Sequence, residues 1–163
     1  MSGVRRLNHA VLYVRDAART AAFYCDALGF EIAHEFPGAV FLRSNGSPND
    51  HDLGLFSIGA NAPAQSRGLG LYHLAWQVDT IDELVAIRER LVALAALVGE
   101  SDHGVSKSLY AVDPDGTEFE VMWAVPHEAW PDGPVGVEPL ALQSELQRWS
   151  GVSTVTESSP TPG

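Results

Sequence analysis

Apolar and polar positions along the chain follow the same pattern in two successive rounds. In each round an apolar segment that reads as a strand comes first, at residues 7–14 and again at residues 71–78. Each is followed by apolar residues at helical spacing, over residues 16–28 and 80–98, and then by further strand-like runs. The pattern predicts an α+β protein built from two similar modules of strand, helix and strands.

Capping and turn residues mark where these elements begin and end. Asp16 is placed to cap the first helix, and Gly29 follows its last turn. The second helix opens with a Thr80–Glu83 capping box and is expected to run to Gly99. The later strands are predicted at residues 30–35, 39–43, 53–58, 109–112 and 118–125, separated by turns rich in Pro, Gly, Asn and Asp.

The two modules, residues 5–58 and 69–125, are predicted to form one domain over residues 1–126, because a chain of 163 residues suits a single core. Residues 127–149 read as a C-terminal arm with a short helix that packs on the body or on a second subunit. The segment 150–163 is small, polar and Pro-containing, and we expect it to be disordered.

A histidine stands at the same point of both opening strands, His9 in one and His73 in the other. A single histidine there is usually a surface or hydrogen-bonded residue, but a duplicated pair favours a shared metal ion. The last strands of the modules align Glu120 with Gly54, which has no side chain to offer as a ligand. Two His and one Glu with an open position match the facial triad of mononuclear non-haem Fe(II). Without the histidines, Glu120 would read as a solvated strand carboxylate.

Composition narrows the class of partner. The net charge of −11, with Lys107 as the only lysine, disfavours nucleic acid and anionic membrane surfaces, and favours a small-molecule substrate. One cysteine, Cys25, allows no internal disulfide, and the chain has no signal-peptide core at its start and no run long enough to span a membrane. We therefore expect a cytoplasmic protein.

Several of these residues together resemble the vicinal oxygen chelate superfamily across residues 5–125. They are the paired strand histidines, the Tyr110-x-x-Asp113-Pro114-x-Gly116 turn and the Glu120 that follows it. The resemblance implies paired βαβββ modules that form a metal-binding cleft. Members of this superfamily catalyse different reactions, so the fold by itself implies no single function.

Three further features resemble the catechol 2,3-dioxygenases. They are the His51-Asp52-Leu53-Gly54-Leu55-Phe56 strand, the His103-Gly104-Val105-Ser106 loop, and Tyr110 ten residues before Glu120. The resemblance implies that His51 is an acid–base residue and that His103 and Tyr110 contact the substrate. It implies Fe(II) as the metal, with Mn(II) or another divalent metal as the alternative. It also implies a catechol-type aromatic diol and O2 as substrates, and cleavage of the ring bond next to the diol.

Two other classes of function stay open on the sequence. One is another metal-dependent member of the superfamily, such as a glyoxalase, lyase, isomerase or fosfomycin-type thiol transferase; the glyoxalases need a fourth ligand where Gly54 stands. The other is an aromatic-drug-binding resistance protein without catalysis. His34 and His127 match no motif and read as surface residues. A homodimer is the default expectation for a symmetric fold with such an arm.

Overall fold

The computed structural model describes residues 3–64 and 68–155. The chain divides into two compact units, and the first comprises residues up to Leu69 together with Asp113–Thr117. A four-stranded mixed sheet in the order β1-β4-β3-β2 forms this unit with one helix. Strands β1 and β4 run parallel, and the other neighbours are antiparallel. The elements are β1 (Ala10–Val14), α1 (Ala17–Leu28), β2 (Glu31–Phe36), β3 (Ala39–Arg43) and β4 (Leu53–Ser57).

The second unit comprises Gly70–Val112 and the residues from Glu118 onward. Its sheet has the order β5-β8-β7-β6, again with a parallel first pair and antiparallel neighbours. The elements are β5 (Leu74–Val78), α2 (Ile81–Ala93), β6 (Leu97–Asp102), β7 (Ser106–Val112), β8 (Glu118–Ala124), a 3-10 turn (His127–Ala129) and α3 (Leu142–Trp149). The predicted α+β fold of paired βαβββ modules is confirmed.

Helix α1 begins and ends where its capping residues predict. The Asp16 side chain accepts a hydrogen bond from the Arg19 backbone N–H at 3.0 Å, which satisfies one of the helix's free amides. Gly29 takes the left-handed conformation at φ 75°, where a side chain would be strained, and its N–H closes the last turn on the Cys25 carbonyl. Tyr24 and Leu42 are among the residues that form the core between this helix and its sheet.

Helix α2 opens with the predicted capping box, but it is shorter than the spacing of apolar residues suggests. The helix ends at Ala93, Ala95 turns the chain with φ 52°, and β6 follows. The prediction of helix up to Gly99 is therefore wrong, and the strand at Leu97–Asp102 was missed. Hydrogen bonding to β7 stabilises the strand, while the Val98 side chain that continued the helical pattern lies exposed.

The parallel strand pairs of the two sheets, β1–β4 and β5–β8, have the same register. Ala10 pairs with Leu53 and Val11 with Gly54 in the first unit; Leu74 pairs with Phe119 and Ala75 with Glu120 in the second. His9 and His73 each directly precede the first residue of these ladders. The alignment of Gly54 with Glu120, inferred from the sequence, is thus confirmed by the pairing.

The C-terminal arm packs on the second unit. An isolated bridge joins Glu138 to Asp102, Leu142 of α3 is buried, and the Trp149 ring lies 5.9 Å from that of the fully buried Trp123. The only lysine is buried beneath the arm and forms two ion pairs, with Asp102 at 2.5 Å and with Glu145 of α3 at 3.6 Å. A buried ammonium group must be paired with opposite charge, and these two carboxylates provide it.

Ordered contacts continue beyond Trp149, where the sequence analysis ended the arm. We call residues 150–155 the strap. Asp82 accepts hydrogen bonds from Ser150 Oγ and the Gly151 N–H, and Asp79 accepts from Ser153 Oγ and from the backbone N–H groups of residues 154 and 155. The predicted disorder from residue 150 is therefore not seen in the strap, and residues 156–163 lie outside the described part of the chain.

The strap is expected to loosen in acid. The hydroxyl of Ser153, followed by backbone amides, lowers the pKa of Asp79, and the hydroxyl of Ser150 does the same for the pKa of Asp82. A carboxyl group whose pKa is lowered in the folded state stabilises the fold at any pH above its ordinary, unfolded-state pKa of about 3.9. This stabilisation is lost as the pH falls through the lowered pKa. The strap should therefore be held at neutral pH and released below about pH 4.

Hydrogen exchange on an Asp79→Ala variant tests this attachment at pH 7. The Val155 amide, which donates to the Asp79 carboxylate, should lose protection in the variant, whereas the Thr154 amide keeps its bond to the Asp79 backbone carbonyl at 3.0 Å and the amides of β8 keep theirs. Asp132→Ala, which removes an exposed carboxylate elsewhere on the arm, is the matched control. Equal protection of the Val155 amide in Asp79→Ala and wild type would show that the carboxylate does not hold this part of the strap.

Among the residues described, none of the helices has the length and apolar character needed to cross a bilayer.

Candidate functional site

His9 stands just before β1 and is oriented by its neighbour. Its Nδ1 lies 2.9 Å from the amide oxygen of Asn8, whose own amide nitrogen donates to Asn49 at 3.1 Å. Because an amide oxygen only accepts, His9 carries its proton on Nδ1. The Nε2 atom then has the free lone pair that a metal ion requires.

His73 and Glu120 lie together in the second unit. Nε2 of His73 is 3.1 Å from Oε2 of Glu120, which follows from the pairing of β5 with β8. The Nδ1 atom of His73 is buried, and none of the described residues is its hydrogen-bond partner; the nearest oxygen of Glu118 is 3.9 Å away. The structure therefore brings together two of the three predicted ligands, both of them only slightly exposed.

The loop before β4 is organised around Asp52. This buried carboxylate accepts hydrogen bonds from the N–H and hydroxyl of Ser44, from the hydroxyl of Ser47 and from the amide of Asn49, at 2.7–2.9 Å. Burial raises the pKa of Asp52, but these bonds outweigh it and hold the pKa below its ordinary value. An ionised Asp52 thus fixes the loop that presents His51.

His51 lies beside His9 in the first unit. The two ring centroids are 4.7 Å apart, and the centroids of the His51 and Phe41 rings are 4.9 Å apart in a T-shaped contact. Asn49 in the same loop donates to the backbone carbonyl of Asn8 at 2.9 Å. One loop therefore positions both the predicted acid–base histidine and the segment that carries the predicted ligand.

His103 and Tyr110 form a pair in the second unit. Nε2 of His103 is 2.9 Å from the Tyr110 hydroxyl, and the Tyr110 ring is 5.9 Å from that of His73. Burial, and after it the Glu120 carboxylate, raises the pKa of the Tyr110 phenol, so the hydroxyl keeps its proton at neutral pH. Tyr110 is directly opposite Glu120 in the β7–β8 ladder.

The loop that carries His103 requires a glycine at position 104. Gly104 has φ 74°, and a Cβ there would lie 3.2 Å from both Pro131 and Val135 of the arm. Its N–H donates to Asp102 at 2.7 Å, and the His103 N–H donates to the Ser106 carbonyl. The arm thus packs directly against the turn that orients His103.

The predicted site residues fall into two groups. His9 and His51 lie together in the first unit, while the second unit brings together His73, Glu120, His103 and Tyr110. No set of three or more His, Cys, Asp or Glu side chains within residues 3–64 and 68–155 is arranged to hold a metal ion. A cavity of about 400 Å³ opens beside the amino end of α1, and none of the six residues lines it.

The residues that orient the two histidines of the first unit were not predicted from the sequence. Asn8 and Asn49 are polar residues in loops, which is their ordinary place, so no motif marked them. A usable signal was the run Ser44-x-x-Ser47-x-Asn49-x-x-Asp52, because short polar side chains at such spacing often bond within one loop. His34, predicted as a plain surface residue, is hydrogen-bonded to Asp50 at 2.9 Å.

Comparisons with known proteins agree with this architecture. The sequence model of the Glyoxalase/Bleomycin resistance protein/Dioxygenase superfamily matches residues 6–121. A catechol-2,3-dioxygenase of Bacillus subtilis (strain 168) is 30% identical over 76% of this chain, and the match covers 43% of that protein's length. Biphenyl-2,3-diol 1,2-dioxygenase 3 of Rhodococcus globerulus is 30% identical over 79% of this chain and 70% of its own.

Solved structures with similar folds have other activities. A lactoylglutathione lyase from Agrobacterium tumefaciens superimposes with a TM-score of 0.57 at 25% identity, over 75% of this chain and 96% of that one. The fosfomycin resistance protein FosX of Listeria monocytogenes gives 0.57 at 22% identity, over 79% of this chain and 98% of that one. The second likeness concerns the fold alone.

Proposed function

Because the chain belongs to the glyoxalase/bleomycin resistance protein/dioxygenase superfamily, we propose that it is an extradiol ring-cleavage dioxygenase. It would insert O2 into a catechol-type aromatic diol, using a mononuclear Fe(II) held by His9, His73 and Glu120. The observation that carries the proposal is the His103–Tyr110 hydrogen bond beside the His73–Glu120 pair. A metal site flanked by a neutral phenol and an imidazole suits an oxygen-rich substrate. Two dioxygenases at 30% identity support the same reaction.

The second-unit residues fit a metal ion. Nε2 of His73 is 3.1 Å from Oε2 of Glu120, and a nitrogen and a carboxylate oxygen this close could both bind one divalent ion. The ring nitrogen of His9 left unprotonated by Asn8 would be the third donor. Two nitrogens and one carboxylate suit Fe(II), with Mn(II) or another divalent metal as the alternative. When bound, Fe(II) supplies the Lewis acidity and redox chemistry through which diol and O2 react.

The chain's own residues would then move protons and orient the diol. His51 is the acid–base group that takes a proton from the diol and returns it later in the reaction. The protonated phenol of Tyr110 donates to a substrate oxygen, and His103 holds that phenol in position. The ring bond next to the diol breaks, both atoms of O2 enter the product, and the diol supplies the electrons, so no external reductant is needed.

The position equivalent to Glu120 in the first unit, occupied by Gly54, is a feature of the proposed site that can be filled. Gly54→Glu would add a carboxylate at the equivalent register position, so metal content should stay the same while catechol affinity and turnover fall. A Cβ at this position lies 3.4 Å from Phe41 and 3.5 Å from Val11, a contact that Gly54→Ala shares without adding a ligand. Steady-state kinetics of both variants separate ligation from crowding.

Unchanged kinetics in folded Gly54→Glu protein would show that the substrate does not use this position. An equal loss of turnover in Gly54→Ala would assign the effect to crowding against Phe41.

Metal analysis and a catechol panel test the proposed function. Protein purified without oxygen is analysed for metal, loaded separately with Fe(II), Mn(II) and Zn(II), and scanned for yellow ring-opened products from catechol, alkylcatechols and biphenyl-2,3-diol. Turnover is expected with Fe(II). If no catechol is turned over and the protein binds aromatic compounds without metal, the dioxygenase proposal is wrong and the protein is a binding protein. Lactoylglutathione lyase activity, suggested by one structural neighbour, is assayed on the same samples.

The homodimer and the cytoplasmic location stay proposals that accompany this function. Sedimentation of the purified chain measures the first, and cell fractionation measures the second.

A further inference from the structure

Asp50 lies between two imidazoles, with one carboxylate oxygen toward each. Its Oδ2 is 2.9 Å from Nδ1 of His51, and its Oδ1 is 2.9 Å from Nε2 of His34. The bond from His51, and then the bond from His34, lowers the pKa of Asp50, so the group is ionised at neutral pH. Because an ionised carboxylate has no proton to donate, both of these imidazole nitrogens must carry one.

The contact decides which nitrogen of His51 is free. A neutral imidazole carries one proton, and the partner of one nitrogen sets which form is present. With the proton on Nδ1, facing Asp50, the Nε2 atom has the lone pair. The ring contacts with His9 and Phe41 restrict the ring without choosing between the nitrogens.

His34 secures the arrangement from the other side. It lies on β2 with its ring near Phe36 and Phe41, both 6.4 Å away, and its bond to Asp50 occupies the second carboxylate oxygen. Asp50 is exposed, so a single hydrogen bond would leave its side chain free to rotate. A carboxylate held at both oxygens has one orientation toward His51.

We propose that Asp50 is a positioning residue that keeps His51 in the Nδ1–H form, with Nε2 free to take a proton, and that His34 holds Asp50 in place. The catalytic consequence rests on the proposed function, in which His51 is the acid–base group. The proton position on His51 is a property of the chain and can be measured without any activity.

Nitrogen-15 NMR of the imidazoles in the metal-free protein, recorded at about pH 8, tests the proposal directly. Wild type should show His51 as Nδ1–H. Asp50→Asn can turn an amide N–H toward Nδ1 and should shift His51 toward the other form, and His34→Ala should shift it partly. Glu35→Gln, which removes a carboxylate next to His34 in sequence, should change nothing. The same His51 form in wild type, Asp50→Asn and His34→Ala would overturn the proposal.

Kinetics with Fe(II) and a catechol provide the second measurement. Loss of a hydrogen-bond partner that orients a functional group typically costs about 10 to 100-fold, and Asp50→Asn should show this in kcat with little change in KM. Asp50→Glu, which keeps a carboxylate, should recover part of the loss. Equal kcat in Asp50→Asn and wild type would overturn the positioning role. If wild type cleaves no catechol, the proposed function fails, and the NMR result still decides the inference.

Discussion

A His51→Phe variant is expected to bind metal and catechol but to lose ring cleavage. The phenyl ring keeps the packing against His9 and Phe41 but has no nitrogen to accept or return a proton. Acid–base groups typically contribute about 10² to 10⁴-fold to a rate, so turnover should fall by that amount. Product absorbance measures turnover, and anaerobic titration with a catechol measures binding.

His127→Phe is the matched control for this loss. His127 stacks on Trp130 with ring centroids 4.6 Å apart and belongs to no predicted site, so its replacement should leave turnover unchanged. Wild-type turnover in His51→Phe would remove His51 from the mechanism, and a parallel loss of catechol binding would make it a binding residue instead.

Single replacement of His9, His73 or Glu120 by alanine is expected to empty the metal site. Each change removes one of the three proposed ligands. Losing an outer hydrogen-bond partner typically lowers metal affinity by about 10 to 100-fold, and losing a ligand should lower it by more. None of the three side chains belongs to the buried core, so circular dichroism should show an intact fold. Metal per chain, measured after gel filtration, gives the answer.

Glu118→Ala is the control for charge. It removes a carboxylate two residues from Glu120, on the same strand and 3.9 Å from the His73 ring, without removing a proposed ligand. Metal should stay near one per chain in this variant. Stoichiometric metal in all three ligand variants would place the site elsewhere in the molecule.

The sequence predicted most of the fold because its local signals agree with the tertiary structure. Asp16, Gly29 and the Thr80–Glu83 box mark helix ends through hydrogen bonds that lie within a few residues. Strand β6 was not predicted, because Leu94 and Val98 continue the helical spacing of apolar residues. In the structure this segment pairs with β7 as a strand instead. Local periodicity cannot report a hydrogen-bond partner that lies a dozen residues away.

Part of the candidate site could be proposed from the sequence for the same reason. Duplication made His9, His73 and the equivalence of Gly54 with Glu120 visible, and the sheet registers agree with that equivalence. The partners that orient the site, such as Asn8 and Asp50, were not visible, because a polar loop residue looks the same whether or not a histidine faces it. The strap was missed since its binding partner, Asp79, lies over seventy residues earlier in the chain.

The buried lysine beneath the arm gives the protein a built-in chemical reporter. Lys107 is the only lysine of the chain, is 5% exposed, and pairs with Glu145 of α3. An amine-reactive ester can acylate this side chain only while the arm is lifted away from it. The rate of acylation at Lys107, followed by mass spectrometry, would therefore measure how often the arm opens, with no label engineered into the protein.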